Sequence, residues 1–374
     1  MSWTKYELGD LLSYEQPTPY IVESTEYNDN YKTPVLTAGK TFILGYTNEE
    51  TGVYDALPVI IFDDFTTASR YVNFKFKVKS SAMKILTPNT KLVLPKYIYY
   101  RMQIIPFDSS THKRYWIQKY SKIKVSIPPL PEQERIVARI EELFSELDKA
   151  VETLKKTKEQ LSVYRQAVLK EAFDSINNFD KEIVQSICDN IVDCPHSTPK
   201  WTQKGKICLR TSNFKRGYLD LTEINYVSEE TYNIRNARLI PQPGDVLYSR
   251  EGAILGIACI IPENLCVCLG QRMMLLRPNT RVINKFLMYY LNSPRVTAYV
   301  ASITGGSASP HVNVGDIKNF KLPVPPISEQ IKLIEKLESR LSVCDSIEKT
   351  IDTALQESEA MRQSILKKAF EGEI

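Results

Sequence analysis

The residues of this chain best suited to chemistry are few and badly spaced for it. Gly39-Lys40-Thr41 has the closing triplet of a phosphate loop, in which backbone N–H groups and a lysine cradle phosphates. That loop needs a glycine five positions earlier, and Pro34 stands there. Asp63-Asp64 offers two carboxylates to a hard cation, but an adjacent pair at a strand end reads more simply as a solvated turn. Cys259, Cys266 and Cys268 lie in apolar sequence without either structural zinc spacing, so they read as buried free thiols. Cys194 with His196 is no stronger, and His112, His196 and His311 are scattered. Neither an Asn-Pro-Pro-aromatic segment of an amino-methyltransferase nor a glycine fingerprint for a dinucleotide is present. No catalytic centre emerges, and no metal ligand set.

Charge is the more informative property. The chain of 374 residues carries a net +4, unevenly placed. Residues 1–63 hold 3 Lys/Arg against 10 Asp/Glu, residues 64–126 hold 13 against 2, and residues 174–323 hold 17 against 13. Such a basic concentration is the footprint of phosphate contacts, although charge alone also fits a solvated surface. Seven cysteines without a CxxC pair, and no leader segment, suit a reducing, cytoplasmic setting. No apolar run is long enough for a membrane.

The elements that position these charges come from a duplication. Residues 128–173 and 325–370 align without a gap at an offset of 197, with 14 of 46 positions identical. Both open Pro-Pro-x-x-Glu-Gln: Pro128, Pro129, Glu132 and Gln133, then Pro325, Pro326, Glu329 and Gln330. Both close on Arg-Gln, Leu-Lys and Ala-Phe, ending at Phe173 and Phe370. A repeat of this length governs the fold. Each copy reads as one long helix. The first has an apolar face at Ile136, Ile140, Leu143, Leu147, Val151, Leu154, Leu161, Val168 and Ala172. The second has Leu333, Leu337, Leu341, Cys344, Ile347, Ile351, Met361 and Ile365, with Gly372 as its stop. A helix of this length spans ~60 Å and needs a partner for its single stripe, most simply the other copy. Arg165 and Arg362, at matched positions, either tie a helix end to a domain or lie on a solvated face.

The division that follows is a domain at 1–126, a helix at 127–180, a second domain at 181–323 and a helix at 324–374. In the first domain, strands are expected at 33–37, 59–62 and 73–78 and an exit strand at 122–127, with Phe74, Phe76 and Val78 sharing a face. A tyrosine-rich helix follows Pro95. In the second, Gly244-Asp245-Val246-Leu247 is a turn feeding a strand that ends at Ser249-Arg250, and 267–277 is one apolar strand. Pro278-Asn279-Thr280 and residues 286–290 echo Pro88-Asn89-Thr90 and residues 97–100, so the domains share their last part while their first halves diverge. The tyrosines there, including Tyr97, Tyr100, Tyr289 and Tyr290, suit helix packing better than base stacking.

The paired Pro-Pro-x-x-Glu-Gln helices, the Gly244-Asp245-Val246-Leu247 turn, and Gly306-Ser307 followed by Asp316-Ile317-Lys318-Asn319 resemble the specificity subunit of Type I restriction–modification systems. The resemblance covers nearly the whole chain. The first domain departs from it where Asp108-Ser109-Ser110-Thr111-His112-Lys113-Arg114 replaces the glycine loop. It implies two α/β (α+β) target-recognition domains joined by two long antiparallel helices, a coiled-coil spacer with pseudo-two-fold symmetry. Each domain would read half of a split double-stranded DNA target, and half-sites one to two turns apart, at roughly 34–36 Å per turn, would suit helices of this length. The helices would bind two methyltransferase subunits, with restriction-motor subunits joining them. S-adenosylmethionine, ATP and Mg2+ would belong to those partners and none to this chain.

Base reading needs Arg, Lys, Asn, Gln or Ser at groove edges, whereas phosphate contacts need only charge. The candidates in the first domain are Lys40, Arg70, Lys75, Lys113 and Arg114. Those in the second are Arg210, Asn213, Arg250, Arg272 and the Gly305-Gly306-Ser307 backbone, with Glu251 and its surroundings as an alternative partner for Arg250. Two other classes compete. A fused methyltransferase–specificity chain needs cofactor and catalytic motifs that are missing, and a coiled-coil scaffold with two protein-binding domains predicts no salt-dependent DNA affinity.

Overall fold

The computed structural model describes residues 3–39, 41–107, 114–252, 254–305 and 310–374. It divides into two compact units, Met1–Leu154 with Asp352–Ile374, and Lys155–Ile351. Each unit holds one globular domain, the beginning of one long helix and the end of the other.

The helices run Leu130–Asp174 and Ile327–Glu371, 45 residues each. Pro131 sits in a first turn, where its missing N–H costs nothing. The second helix stops at Gly372, whose φ of +79° suits glycine. The motif glutamines explain the shared entry. Gln133 is fully buried; its Nε2 donates to the carbonyls of Pro128 (2.9 Å) and Leu92 (3.0 Å), and its Oε1 accepts from the Leu94 amide (2.8 Å). Gln330 does the same with Pro325 (2.9 Å), Arg281 (2.8 Å) and the Ile283 amide (2.9 Å). One amide side chain thus fastens each long helix to its own domain.

The far ends are fastened crosswise. In the first unit Phe370 packs edge-on against Tyr97 with ring centroids 5.2 Å apart, and in the second Phe173 packs against Phe286 at 5.5 Å. Leu366 and Ala369 are buried with Ile136, Ile140, Phe62 and Ile98 in one core, and Leu169 and Ala172 with Leu333, Leu337, Tyr248 and Leu287 in the other. Each large apolar side chain so buried contributes about 1.5–3 kcal/mol. The two helices are therefore antiparallel within each unit. Charge follows the same pattern: Arg362 pairs with Asp148, and Arg165 with Asp345 (2.7 Å) and Glu348 (2.9 Å). Offset by 197, Asp148 becomes Asp345 and Arg165 becomes Arg362, so the pairs are mates in the repeat. Both arginines join helix to helix rather than helix to domain. Ile347 and Met361 lie exposed, off the expected seam, which ends on Leu366 and Ala369 instead. A 3.6-residue turn drifts around a fixed stripe, and the buried face rotates with it.

The domains share more than their last part. In the first, a four-stranded antiparallel sheet runs in the order Leu12–Glu15, Met83–Pro88, Val59–Asp63, Ser69–Val72. In the second the order is Cys188–Asp193, Met273–Pro278, Val246–Ser249, Ala258–Ile260. A second sheet in each contains a parallel pair, Thr33–Leu36 with Lys77–Val78 and Lys206–Leu209 with Val267–Leu269. A short ribbon closes each domain, Thr4–Glu7 with Lys124–Ile127 and Lys181–Ile183 with Lys321–Pro323. The first halves thus diverge in sequence while keeping the four-stranded sheet and one parallel pair; the sheet that holds the parallel pair has three strands in the first domain and four in the second, which adds the ribbon of Phe214–Lys215 with Tyr218–Leu219.

Two expected strands were single in sequence and are divided in space. Residues 73–78 contribute only Lys77–Val78, because the chain leaves one sheet after Val72 and enters the other at Lys77, with Phe76 bridged to Tyr54 on the way. Residues 267–277 split into Val267–Leu269 and Met273–Pro278, one in each sheet. The break is Gly270-Gln271-Arg272. A Cβ on Gly270 would stand 2.2 Å from the Leu209 carbonyl oxygen, and Arg272 adopts a left-handed φ of +68°.

Candidate nucleic-acid interface

In the second domain the sheet ends in three loops, 194–200, 250–252 and 270–272, which two buried arginines bind together. Arg235 donates to four carbonyls and, among the described residues, to no carboxylate: Leu269 (2.6 Å), Gly270 (2.7 Å), Ser197 (3.0 Å) and Pro195 (3.1 Å). Arg250 is gripped by Asp193 through Nε (2.8 Å) and Nη2 (3.2 Å) and also pairs with Glu251 (2.8 Å). Its amide donates to the Arg272 carbonyl (3.0 Å), and its own carbonyl accepts from Val312 (2.9 Å). A candidate for reaching DNA is thus buried and held inside its own domain, as the alternative with Glu251 anticipated.

Asn213 is also buried. Its Oδ1 accepts from the Arg210 amide, and its Nδ2 donates to the carbonyls of Asp220 and Glu223, each at 2.9 Å. It builds the turn that presents Arg210, and all its polar atoms are used. Arg210 is exposed, with its guanidinium 5.8 Å from the centre of the Trp201 ring. Arg272 and Gly305 are exposed as well. The Gly244-Asp245 turn is structural: Asp245 is buried and takes Arg277 bidentately at 2.7 and 2.8 Å. Hydrogen bonding to Asp245 holds the Arg277 guanidinium above its ordinary range.

In the first domain Asp63 accepts the amides of Phe65 (2.9 Å) and Thr66 (2.8 Å), a turn of the expected kind. Asp64 corrects the expectation of a solvated pair. It is 2% exposed, ion-paired to the 1% exposed Lys84 at 3.3 Å, and accepts from the Trp116 amide at 2.8 Å. Lys77 is another buried cation of the basic stretch, paired with Glu49 at 2.7 Å and donating to the Thr51 carbonyl. Burial works to raise the Glu49 carboxyl, but Lys77 and the amides of Ser24 and Glu23 outweigh it and hold it below the usual carboxylate range. Part of the positive charge counted in sequence is therefore spent inside the domain. Lys75 is exposed with Asp55 3.5 Å away. Arg70 is half-buried and donates to the Gly39 carbonyl at 3.4 Å. Arg114 is exposed beside Tyr115, whose amide is anchored on the Asp64 carbonyl. Lys40, Lys113, Gly306 and Ser307 lie outside the described residues.

Of the predicted site residues, Arg250 and Arg272 are joined by a backbone hydrogen bond, and the Gly270 amide ties the loop of Arg272 to the Leu209 carbonyl, next to Arg210 and the turn set by Asn213. Trp201 was not singled out in sequence, although its basic setting, Lys200-Trp201-Thr202-Gln203-Lys204, was visible. Among the described residues no group of three or more His, Cys, Asp or Glu is placed to hold a metal ion. All seven cysteines are free, and Cys266 is exposed rather than buried. Among those residues no helix is long and apolar enough to cross a membrane.

The family model for the Type I restriction modification DNA specificity domain matches the chain twice, over residues 1–162 and 195–357. The chain belongs to the Type I restriction–modification DNA specificity family. Among characterised members of this specificity family, the EcoR124I/EcoR124II specificity subunit of Escherichia coli is 33% identical over 353 residues, covering 91% of this chain and 87% of its own length. The MjaVIII specificity subunit of Methanocaldococcus jannaschii is 22% identical over 369 residues, covering 90% and 85%. A chain from a structural study of complex assembly and conformational transition in the type I R-M system aligns over 100% of this chain and 98% of its own. Its TM-score is 0.70 at 18% identity. The HsdS subunit of Thermoanaerobacter tengcongensis gives 0.51, also at 18% identity. At that identity both speak for the specificity-family fold. The two matched segments each combine a recognition domain with part of a long helix, the unit that the repeat defines.

Proposed function

We propose that this chain supplies DNA sequence specificity to a Type I restriction–modification complex, each domain reading one half of a bipartite target. The paired helices set the spacing of the half-sites and recruit two methyltransferase subunits. Restriction-motor subunits join that assembly. The chain does no chemistry itself; S-adenosylmethionine, ATP and Mg2+ belong to the partners. The observation that carries this reading is a frame repeated down to single hydrogen bonds, at Gln133 and Gln330, around loop ends built from different residues. A duplicated mount with two different readers suits a split target. We assign direct DNA contact to the exposed candidates Lys75, Arg114, Arg210, Arg272 and Gly305, with Arg70 at their edge. Within the second domain, Asn213 positions Arg210 and Arg250 positions the loop of Arg272. Lys40, Lys113, Gly306 and Ser307 remain assigned by sequence.

The test is co-expression with the methyltransferase subunit, followed by mapping of methylated adenines in host DNA. A split motif that appears only when this chain is present is the expected result. Methylation with the same motif in its absence, or a stable complex that leaves DNA unmodified, refutes the reading.

A further inference from the structure

We infer that the edge strand Trp201–Thr202 of the second domain is a separate DNA-contact element, in which the Trp201 indole packs on deoxyribose while Lys200, Lys204 and Arg210 meet phosphates. The inference rests on the reading of the chain as a DNA specificity subunit. Trp201 is 41% exposed, a large apolar surface left open to water on a strand that borders its sheet. It pairs with Val227, which pairs in turn with Lys206, so the three occupy one row across the sheet. The exposed Lys200 and Lys204 flank the two-residue strand. Arg210 lies over the indole, a cation–π contact that holds ring and guanidinium facing the same solvent.

The element is rigidly mounted. A Cβ on Gly205 would stand 2.3 Å from the Val227 carbonyl oxygen, so the chain turns tightly beneath the indole. Arg235 fixes the preceding loop through the carbonyls of Pro195 and Ser197. An exposed aromatic ringed by cations is matched by the nucleic-acid backbone, where apolar sugar faces alternate with phosphates. A protein partner would not impose the counterion-release slope of a polyelectrolyte.

The experiment titrates a labelled duplex carrying the target with the assembled methyltransferase complex, containing wild type, Trp201→Ala, Trp201→Phe, or Lys200→Gln with Lys204→Gln. Trp201→Ala is expected to weaken binding about tenfold, the order of one lost aromatic contact to a nucleotide. Trp201→Phe should retain most of the affinity. The double lysine variant should lower the slope of log K against log salt by about 1.8, at roughly 0.9 per phosphate. Unchanged melting of each variant checks that this exposed strand was altered without unfolding. Wild-type affinity in Trp201→Ala, or an unchanged salt slope in the lysine variant, overturns the inference. Absence of sequence-selective binding by the wild-type complex itself would instead overturn the reading beneath it.

Discussion

Asp64 and Arg250 stand at the same place in the two recognition domains and carry opposite charges. Each follows the central strand of its four-stranded sheet. Asp64 takes the Ala82 carbonyl through its amide (3.1 Å) and gives its own carbonyl to Tyr115 (3.0 Å); Arg250 does the same with Arg272 (3.0 Å) and Val312 (2.9 Å). The side chains then diverge. Asp64 finds Lys84, which also donates to Gln16 at 3.1 Å. Arg250 finds Asp193, which is paired in register with Met274, the counterpart of Lys84. In both domains the residue whose carbonyl holds the returning chain thus also carries an ion pair to the sheet, of reversed polarity, buried in the first domain and partly solvated in the second. Backbone geometry survived the divergence of the two copies, whereas the identity of the charges did not. A frame can be kept by hydrogen bonds that any residue supplies, while side chains change in compensating pairs.

The largest effect should come from Lys84→Met, which gives the first domain the residue of the second and leaves Asp64 buried without its cation. A loss of about 3–5 kcal/mol is expected, read as hydrogen exchange across residues 3–126. Adding Asp64→Leu should recover only part of it, because the apolar pair removes the uncompensated charge but leaves the buried Trp116 amide without its acceptor. Arg250→Met should cost less, since Asp193 and Glu251 keep 15% and 29% of their side-chain surface in water. Equal losses would show that burial does not distinguish the two locks.

Gln133→Ala and Gln330→Ala probe the part of the frame that did not diverge. Each strands a backbone amide, that of Leu94 or Ile283, at a cost of about 1–3 kcal/mol. Chemical denaturation should give matching values for the two. A twofold difference would mean that the entries are alike in geometry only. The smallest effect belongs to the helix pairs. Double-mutant cycles on Asp148 with Arg362 and on Asp345 with Arg165 should each return about 0.2–1 kcal/mol, reduced by added salt, because these pairs are substantially solvated. A coupling present in one pair and absent in the other would break the two-fold relation between the helices.

Much of this architecture was legible before any coordinates. The Pro-Pro-x-x-Glu-Gln repeat, the absence of glycine and proline from residues 132–174 and the single apolar stripe required two long partnered helices. The tyrosine-rich helix was found where expected, at Pro95–Met102. The strands at 73–78 and 267–277 were misread because alternating apolar residues mark burial, not membership of one sheet, and both segments pass between two sheets. The site was less legible still. Arginine, lysine and asparagine have the same appearance in sequence whether they face DNA, as exposed Arg210 can, or serve the domain, as Arg250, Asn213 and Lys84 do. Only burial and partners separate those roles, and the partners lie far along the chain: Asp193 is 57 residues from Arg250.

The central claim is that one frame mounts two independent readers. Its most direct test exchanges residues 181–323 for those of another family member with a different target and maps methylated adenines in DNA modified by the assembled complex. One half of the split motif should change to that of the donor, while the other half and the spacing between them stay the same. A change in both halves, or an unchanged motif, would contradict the claim.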